Sequence, residues 1–190
     1  VDEPDDTLPL ADADLQDLAA QMRTEWHADY EELAGEARML WEHNRTLMDR
    51  VHDAMARGDR LGVAVGDAQF VGTITNLGTD WCTVSTSSGP VDVRLAMHMG
   101  QIGTPVLVHQ LERGRSGGMR APQPQIGFRA RCYELEMLGG DVQVGIANNG
   151  EAIMGALIVG ADHLMVTSDD RPTFIPLDWV AWVARRTPDR

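Results

Sequence analysis

Phe70-Val71-Gly72-Thr73-Ile74 is followed by Gly78-Thr79-Asp80-Trp81, and the pair of segments comes back further along the chain. The first is matched by Ile153-Met154-Gly155-Ala156-Leu157 and the second, after a slip of one residue, by Gly160-Ala161-Asp162-His163. Ahead of them Leu61-Gly62-Val63-Ala64 reappears as Val144-Gly145-Ile146-Ala147; behind them Val84-Ser85-Thr86 meets Val166-Thr167-Ser168, and Pro90 meets Pro172. Landmarks kept in order over about forty residues are the signature of an internal repeat, so residues 58–111 and 128–186 read as two copies of one unit. Each copy alternates apolar and polar residues over short stretches separated by Gly, Asn, Asp and Ser, the pattern of short β-strands and tight turns. Gly72 and Gly155 fall inside strands, where a sharply bent strand leaves no room for a side chain. About five short strands with a kinked second strand close most easily into a small barrel, which removes exposed edges.

A helix leading in, a glycine in the bent second strand, an Asp shortly after it and the segment Ile175-Pro176-Leu177 together resemble the Sm-like small β-barrel. The whole chain also resembles an uncharacterised actinobacterial family, in which an acidic helical segment precedes a barrel with a Gly-x-Asp-Trp signature, here Gly78-Thr79-Asp80-Trp81. The complete absence of Lys is compatible with a high-GC source. That family carries no established activity, so the resemblance implies architecture without mechanism. The second copy departs from the signature, with His163 in the place of Trp81 and Asp178-Trp179 displaced to its end.

Upstream of the repeat, apolar residues recur at Leu15, Ala19, Met22 and Trp26, then at Tyr30, Leu33, Ala37, Leu40, Asn44, Leu47, Val51 and Ala54. From Tyr30 onward the steps alternate three and four, the period that keeps one seam facing a partner helix. Leu33, Leu40 and Leu47 then take d positions, and Ala37, Asn44 and Val51 take a. Two successive steps of four around Trp26 break the heptad without ending the helix. The spacing predicts one helix over residues 13–56, about 65 Å long at 1.5 Å per residue. A single Asn at an a position among Leu at d fixes register and favours a parallel two-stranded pairing, so the expectation is a homodimer. Trp41 and Met48 widen the apolar face, as a helix packed on its own downstream domain would require; that is the competing arrangement.

The 190 residues carry 16 basic and 29 acidic side chains, a net charge of -13, and every basic residue is Arg. Residues 1–57 hold -10 of that charge and residues 58–190 only -3. A uniformly cationic nucleic-acid binder is therefore disfavoured, because phosphate binding is driven by positive charge. The organisation expected is an acidic tail over 1–12, a helical coiled-coil segment over 13–57, a first barrel over 58–111, a linker over 112–127, a second barrel over 128–186 and a tail over 187–190. The linker region is locally basic. Arg113, Arg115, Arg120, Arg129 and Arg131 lie in or beside a Gly-, Ser-, Pro- and Gln-rich stretch, giving a candidate nucleic-acid contact; the alternative is a solvated connection.

No stretch is long and apolar enough for a membrane-spanning helix, and the acidic start, Val1-Asp2-Glu3-Pro4-Asp5-Asp6, lacks the basic n-region of a secretory signal. A cytoplasmic protein is expected. Cys82 and Cys132 form no CxxC or Cys/His cluster, so they read as small core residues rather than zinc ligands. The six His residues show no HExxH spacing, and no Gly-x-Ser-x-Gly elbow, P-loop or dinucleotide fingerprint occurs. Asp80 and Asp162, placed symmetrically by the repeat, read as turn-capping residues before they read as paired carboxylates. Trp81, Trp179 and Trp182 read as core or inter-barrel residues. No catalytic residue, metal ligand or cofactor is predicted. The leading expectation is a non-catalytic dimeric adaptor that presents duplicated barrels to a protein partner; the alternative is an RNA- or DNA-associated regulator.

Overall fold

The computed structural model describes residues 12–95, 106–115, 126–147 and 149–186. The chain divides into two compact units, residues 1–45 and 46–190. In the first, the helix α1 (Asp12–His43) accounts for the described residues before the chain leaves helical geometry. The second opens with α2 (Leu47–Arg57). The continuous helix expected over 13–56 is thus divided at residues 44–46, and the cause is local. Thr46 is extended (φ -82°, ψ 166°), and its hydroxyl accepts the Asp49 N–H while the Asp49 carboxylate accepts the Thr46 N–H at 2.8 Å. This capping box satisfies donors that a helix start otherwise leaves unpaired, and it makes a second N-terminus cheaper than a continued helix. Asn44 donates its side-chain amide to Leu40 O at 2.9 Å, back into its own helix end. At the other end of α2, Gly58 takes the left-handed conformation (φ 71°) and its N–H closes on Met55 O.

The second unit continues as β1 (Arg60–Val65), β2 (Ala68–Leu77), β3 (Trp81–Thr86), β4 (Gly89–Arg94), β5 (Val106–Glu112), α3 (Phe128–Leu138), β6 (Asp141–Ile146), β7 (Asn149–Val159), β8 (His163–Ser168), β9 (Arg171–Pro176), a 3-10 turn (Leu177–Trp179) and β10 (Val180–Arg185). The strands form one antiparallel sheet in the order β5-β1-β2-β3-β4-β10-β6-β7-β8-β9. Two separate closed barrels, the expectation from sequence, are therefore not formed. The open edge of β4 is satisfied by β10, with Val91 opposite Ala184, Asp92 opposite Val183 and Val93 opposite Trp182. An edge strand needs a partner for its backbone groups, and here the other half of the sheet supplies it. The helix α3, which begins at Phe128, was not foreseen; its segment reads in the sequence as the end of a linker and the start of a barrel.

Two apolar cores back this sheet, and each borrows from the other half. Ala181 and Trp182 of β10 pack with Val51, Met55, Leu61, Val63, Leu77, Val84 and Val93. Trp81 of β3 packs with Phe128, Cys132, Val144, Leu164 and Val166. The turns repeat closely: Thr86 faces Gly89 in one half and Ser168 faces Arg171 in the other. Gly72 and Gly155 are both required, since a Cβ at either would run into a carbonyl oxygen of the neighbouring strand, Ser85 O or Thr167 O. The sequence match between Leu61 and Val144 is displaced by two residues: Leu61 faces Gly72, and it is Val142 that faces Gly155. A bulge in β7, between the pairs Ile146–Asn149 and Gly145–Ala152, holds the extra residues. The slip of one residue after Ile74 is likewise a bulge, in β2 between Ile74 and Asn76.

Candidate functional site

The seven residues expected to form one dimer seam are separated by the break at residues 44–46. Tyr30, Leu33, Ala37, Leu40 and Asn44 belong to the first unit and are all exposed, Tyr30 at 73%, Leu33 at 64% and Leu40 at 63%. Leu47 and Val51 belong to α2, where Val51 is buried in the core of the second unit. Of the two arrangements weighed from sequence, packing on the chain's own fold is seen for α2, while the α1 part of the stripe is exposed. The amphipathic face of α2 turns Val51, Ala54 and Met55 into its own unit's core. On α1 the stripe continues toward the N-terminus through Trp26 and Met22, which with Tyr30 line a shallow apolar surface. Trp41 is exposed and carries the Arg45 guanidinium 4.2 Å from its ring centre. Met22, Trp26, Tyr30, Leu33 and Leu40 are thus all exposed along α1.

The arginines expected to form one basic segment are dispersed. Arg113 and Arg115 follow β5 and are exposed. Arg129 lies on α3, where it donates to Gly160 O and to the Tyr133 hydroxyl, both at 3.1 Å. Arg131, on the same helix, donates to Asp92 at 2.8 Å and to Glu134 at 2.7 Å. Burial works against its charge, but Glu134 and Asp92 outweigh that and raise its pKa. The folding of residues 128–138 as a helix is what removes Arg129 and Arg131 from the basic segment. Arg120 lies outside the described residues.

The interior of the second unit holds a polar network that no sequence motif marks as a site. Asp92 projects from β4 into the interior, 3% exposed, where it accepts from the Thr83 hydroxyl and from Arg131. Burial raises its pKa despite those donors. Arg94, also buried, donates to Leu177 O at 2.9 Å and approaches Asp178 at 3.5 Å, tying β4 to the turn before β10. Asp80 caps α3 rather than its own turn, accepting the Phe128 N–H at 2.7 Å. Asp162 is exposed and bonded to the His163 ring at 2.8 Å, so the two aspartates do not converge. The available signal was Val91-Asp92-Val93-Arg94, charges set inside an apolar strand; buried charges are paired, and the pairing partners lie on segments far away in sequence.

Cys82 and Cys132 are buried free thiols whose pKa values burial pushes up to about 12, which leaves them protonated and unreactive at neutral pH. Trp81 is in the core, with its indole N–H on Ile126 O at 3.0 Å, and Trp182 lies at the junction of the two halves of the sheet, whereas Trp179 is exposed. Among the described residues no group of three or more His, Cys, Asp and Glu could hold a metal ion, and no helix is long and apolar enough to cross a membrane. No protein-family model matches the chain, and no curated protein matches its sequence. The fold and surfaces define a mainly β protein with a helical N-terminal unit and an exposed apolar helix face.

Proposed function

We propose that this is a non-catalytic adaptor of the cytoplasm, dimerised through α1 and presenting duplicated Sm-like units to a protein partner. The observation that carries it is the exposed stripe Tyr30, Leu33, Ala37 and Leu40 on a helix that is otherwise strongly charged. Pairing two such helices takes the apolar area of these side chains out of water, which contributes about 25 cal/mol per Å2. Duplication is supported by the matching strand orders β5-β1-β2-β3-β4 and β10-β6-β7-β8-β9 and by the shared close approach at Gly72 and Gly155. Membership of the acidic-helix actinobacterial family belongs to the same proposal. The nucleic-acid reading is less well supported, since Arg129 and Arg131 already serve partners within the fold.

Sedimentation of the full chain against the double variant Leu33→Glu, Leu40→Glu tests the dimer. Both positions are exposed, so the variant keeps its fold, and its mass is expected to halve relative to the parent wherever α1 is the contact. An unchanged mass would sink the helix pairing.

A further inference from the structure

Because the two halves share one sheet, a groove of about 610 Å3 lies at their junction. One side comes from the first half, from Phe70 and Val71 of β2 and from the turn between β3 and β4, residues 86–89. The other comes from Trp182 and Arg185 of β10 and from Gln143 of β6, which faces Ala184. Neither half makes this groove by itself. Its apolar part is aromatic, since the Phe70 ring meets the Trp182 indole edge to face with centroids 5.1 Å apart. Several of its polar groups lack partners. The Trp182 side chain is only 9% exposed, yet its indole N–H, lying against Gly145, finds no acceptor among the described residues and stays open to solvent. Buried indole donors usually find a partner, as Trp81 does on Ile126 O at 3.0 Å. The half-buried Gln143 amide and the Ser87 and Ser88 hydroxyls also make no hydrogen bond among the described residues.

Charge sets the class of molecule. The chain carries -13 overall, but the described residues that line the groove include Arg185 and Arg186 and no Asp or Glu. Arg185 is exposed, and its guanidinium makes a long 3.4 Å contact with Leu138 O. We propose that the groove binds a small organic acid with a flat aromatic body, its carboxylate or phosphate on the Arg185 guanidinium and its ring beside Trp182 and Phe70. A guanidinium offers parallel donors to such an anion, and aromatic rings pair edge to face or offset. The indole N–H of Trp182 and the amide of Gln143 then serve the ligand's remaining acceptors. The size agrees, since small-molecule sites commonly occupy about 300–1,000 Å3 and combine an apolar lining with a few convergent polar groups. Neither α1 nor a protein partner takes part, so the site stands apart from the adaptor reading.

The test is nuclear magnetic resonance of the nitrogen-labelled full chain with two probes, indole-3-acetate and phenyl phosphate, and with uncharged indole as the control. The five tryptophans give five indole N–H signals, and that of Trp182 is identified by its nuclear Overhauser contact with Gly145. At least one acid is expected to shift this signal and the Gln143 side-chain amide in a saturable titration, and the one that does so names the acid group. Indole is expected to bind at least about tenfold more weakly, the scale of losing one charge-assisted hydrogen-bonded pair. Arg185→Gln is expected to weaken the acid by the same factor, whereas Arg171→Gln, at an exposed arginine of β9, leaves it unchanged. Circular dichroism checks that both variants stay folded. No saturable shift with either acid, indole binding as tightly as the acids, an Arg185→Gln titration identical to the parent's, or equal weakening by the two variants overturns the site.

Discussion

Asp59 is fully buried directly after the helix cap, and its carboxylate gathers three segments. It accepts from Arg57 at 2.7 Å, from Gln110 of β5 at 3.0 Å and from the Gly114 N–H at 2.8 Å. Burial favours its neutral form, but the Arg57 and Gly114 hydrogen bonds prevail and its pKa lies below the ordinary 3.8. A depressed carboxylate pKa gives stability that is present above the unfolded value and is lost as pH falls through the folded one. Asp59→Asn is expected to cost about 2 kcal/mol at pH 7, the scale of unmaking hydrogen bonds to a buried charged acceptor. Urea unfolding at pH 7 and pH 3 checks this, and the gap between variant and parent must narrow at the acid end. Asp92 works in the opposite sense, since its raised pKa makes its ionisation unfavourable to folding as pH rises. Its carboxylate accepts from both Thr83 and Arg131.

At the scale of elements, the break between α1 and α2 decides which apolar residues serve the core and which face solvent. The heptad spacing runs through residues 30–54 without regard to it, because periodicity reports a helical face and not whether the helix is interrupted. Thr46 and Asp49 hold the information, as an S/T-x-x-D variant of the capping pattern in a run otherwise read as a/d repeats. Thr46→Ala is expected to destabilise the second unit by about 1 kcal/mol, measured as a lower urea midpoint with unchanged slope, because α2 contributes Val51, Ala54 and Met55 to its core. An unaltered midpoint would mean that the cap is not what fixes the start of α2. The helix α3 escaped the sequence reading for a related reason. Its buried residues Phe128, Cys132 and Leu135 are spaced correctly for a helix face, but they follow a Pro/Gly-rich stretch and open a segment, 128–186, whose strand and turn pattern reads as a barrel.

Across the whole molecule, the two halves of the sheet are coupled through exchanged tryptophans: Trp182 belongs to the first core and Trp81 to the second. Residues 46–190 are accordingly expected to unfold in one cooperative transition rather than as two barrels. Trp182→Ala, which empties the junction opposite Val93 and removes the edge-to-face contact with Phe70 at 5.1 Å, is expected to cost about 4 kcal/mol. Calorimetry checks both points; two resolved transitions in the parent would show that the halves are independent. Much of this architecture was legible in the sequence. Alternation and turn residues determined short antiparallel strands, the spaced glycines determined where neighbouring strands come close, and the division of charge set an acidic helical segment apart from a nearly balanced β region. These are local properties, written in residues a few positions apart. Only the tertiary structure decided that the halves share one open sheet instead of closing separately, that Asp92 and Arg131 find each other, and that the seam is split between solvent and core. Each of those outcomes depends on a backbone edge or a buried charge finding a partner from a distant segment, and local patterning shows which groups need partners without naming the partner that takes them.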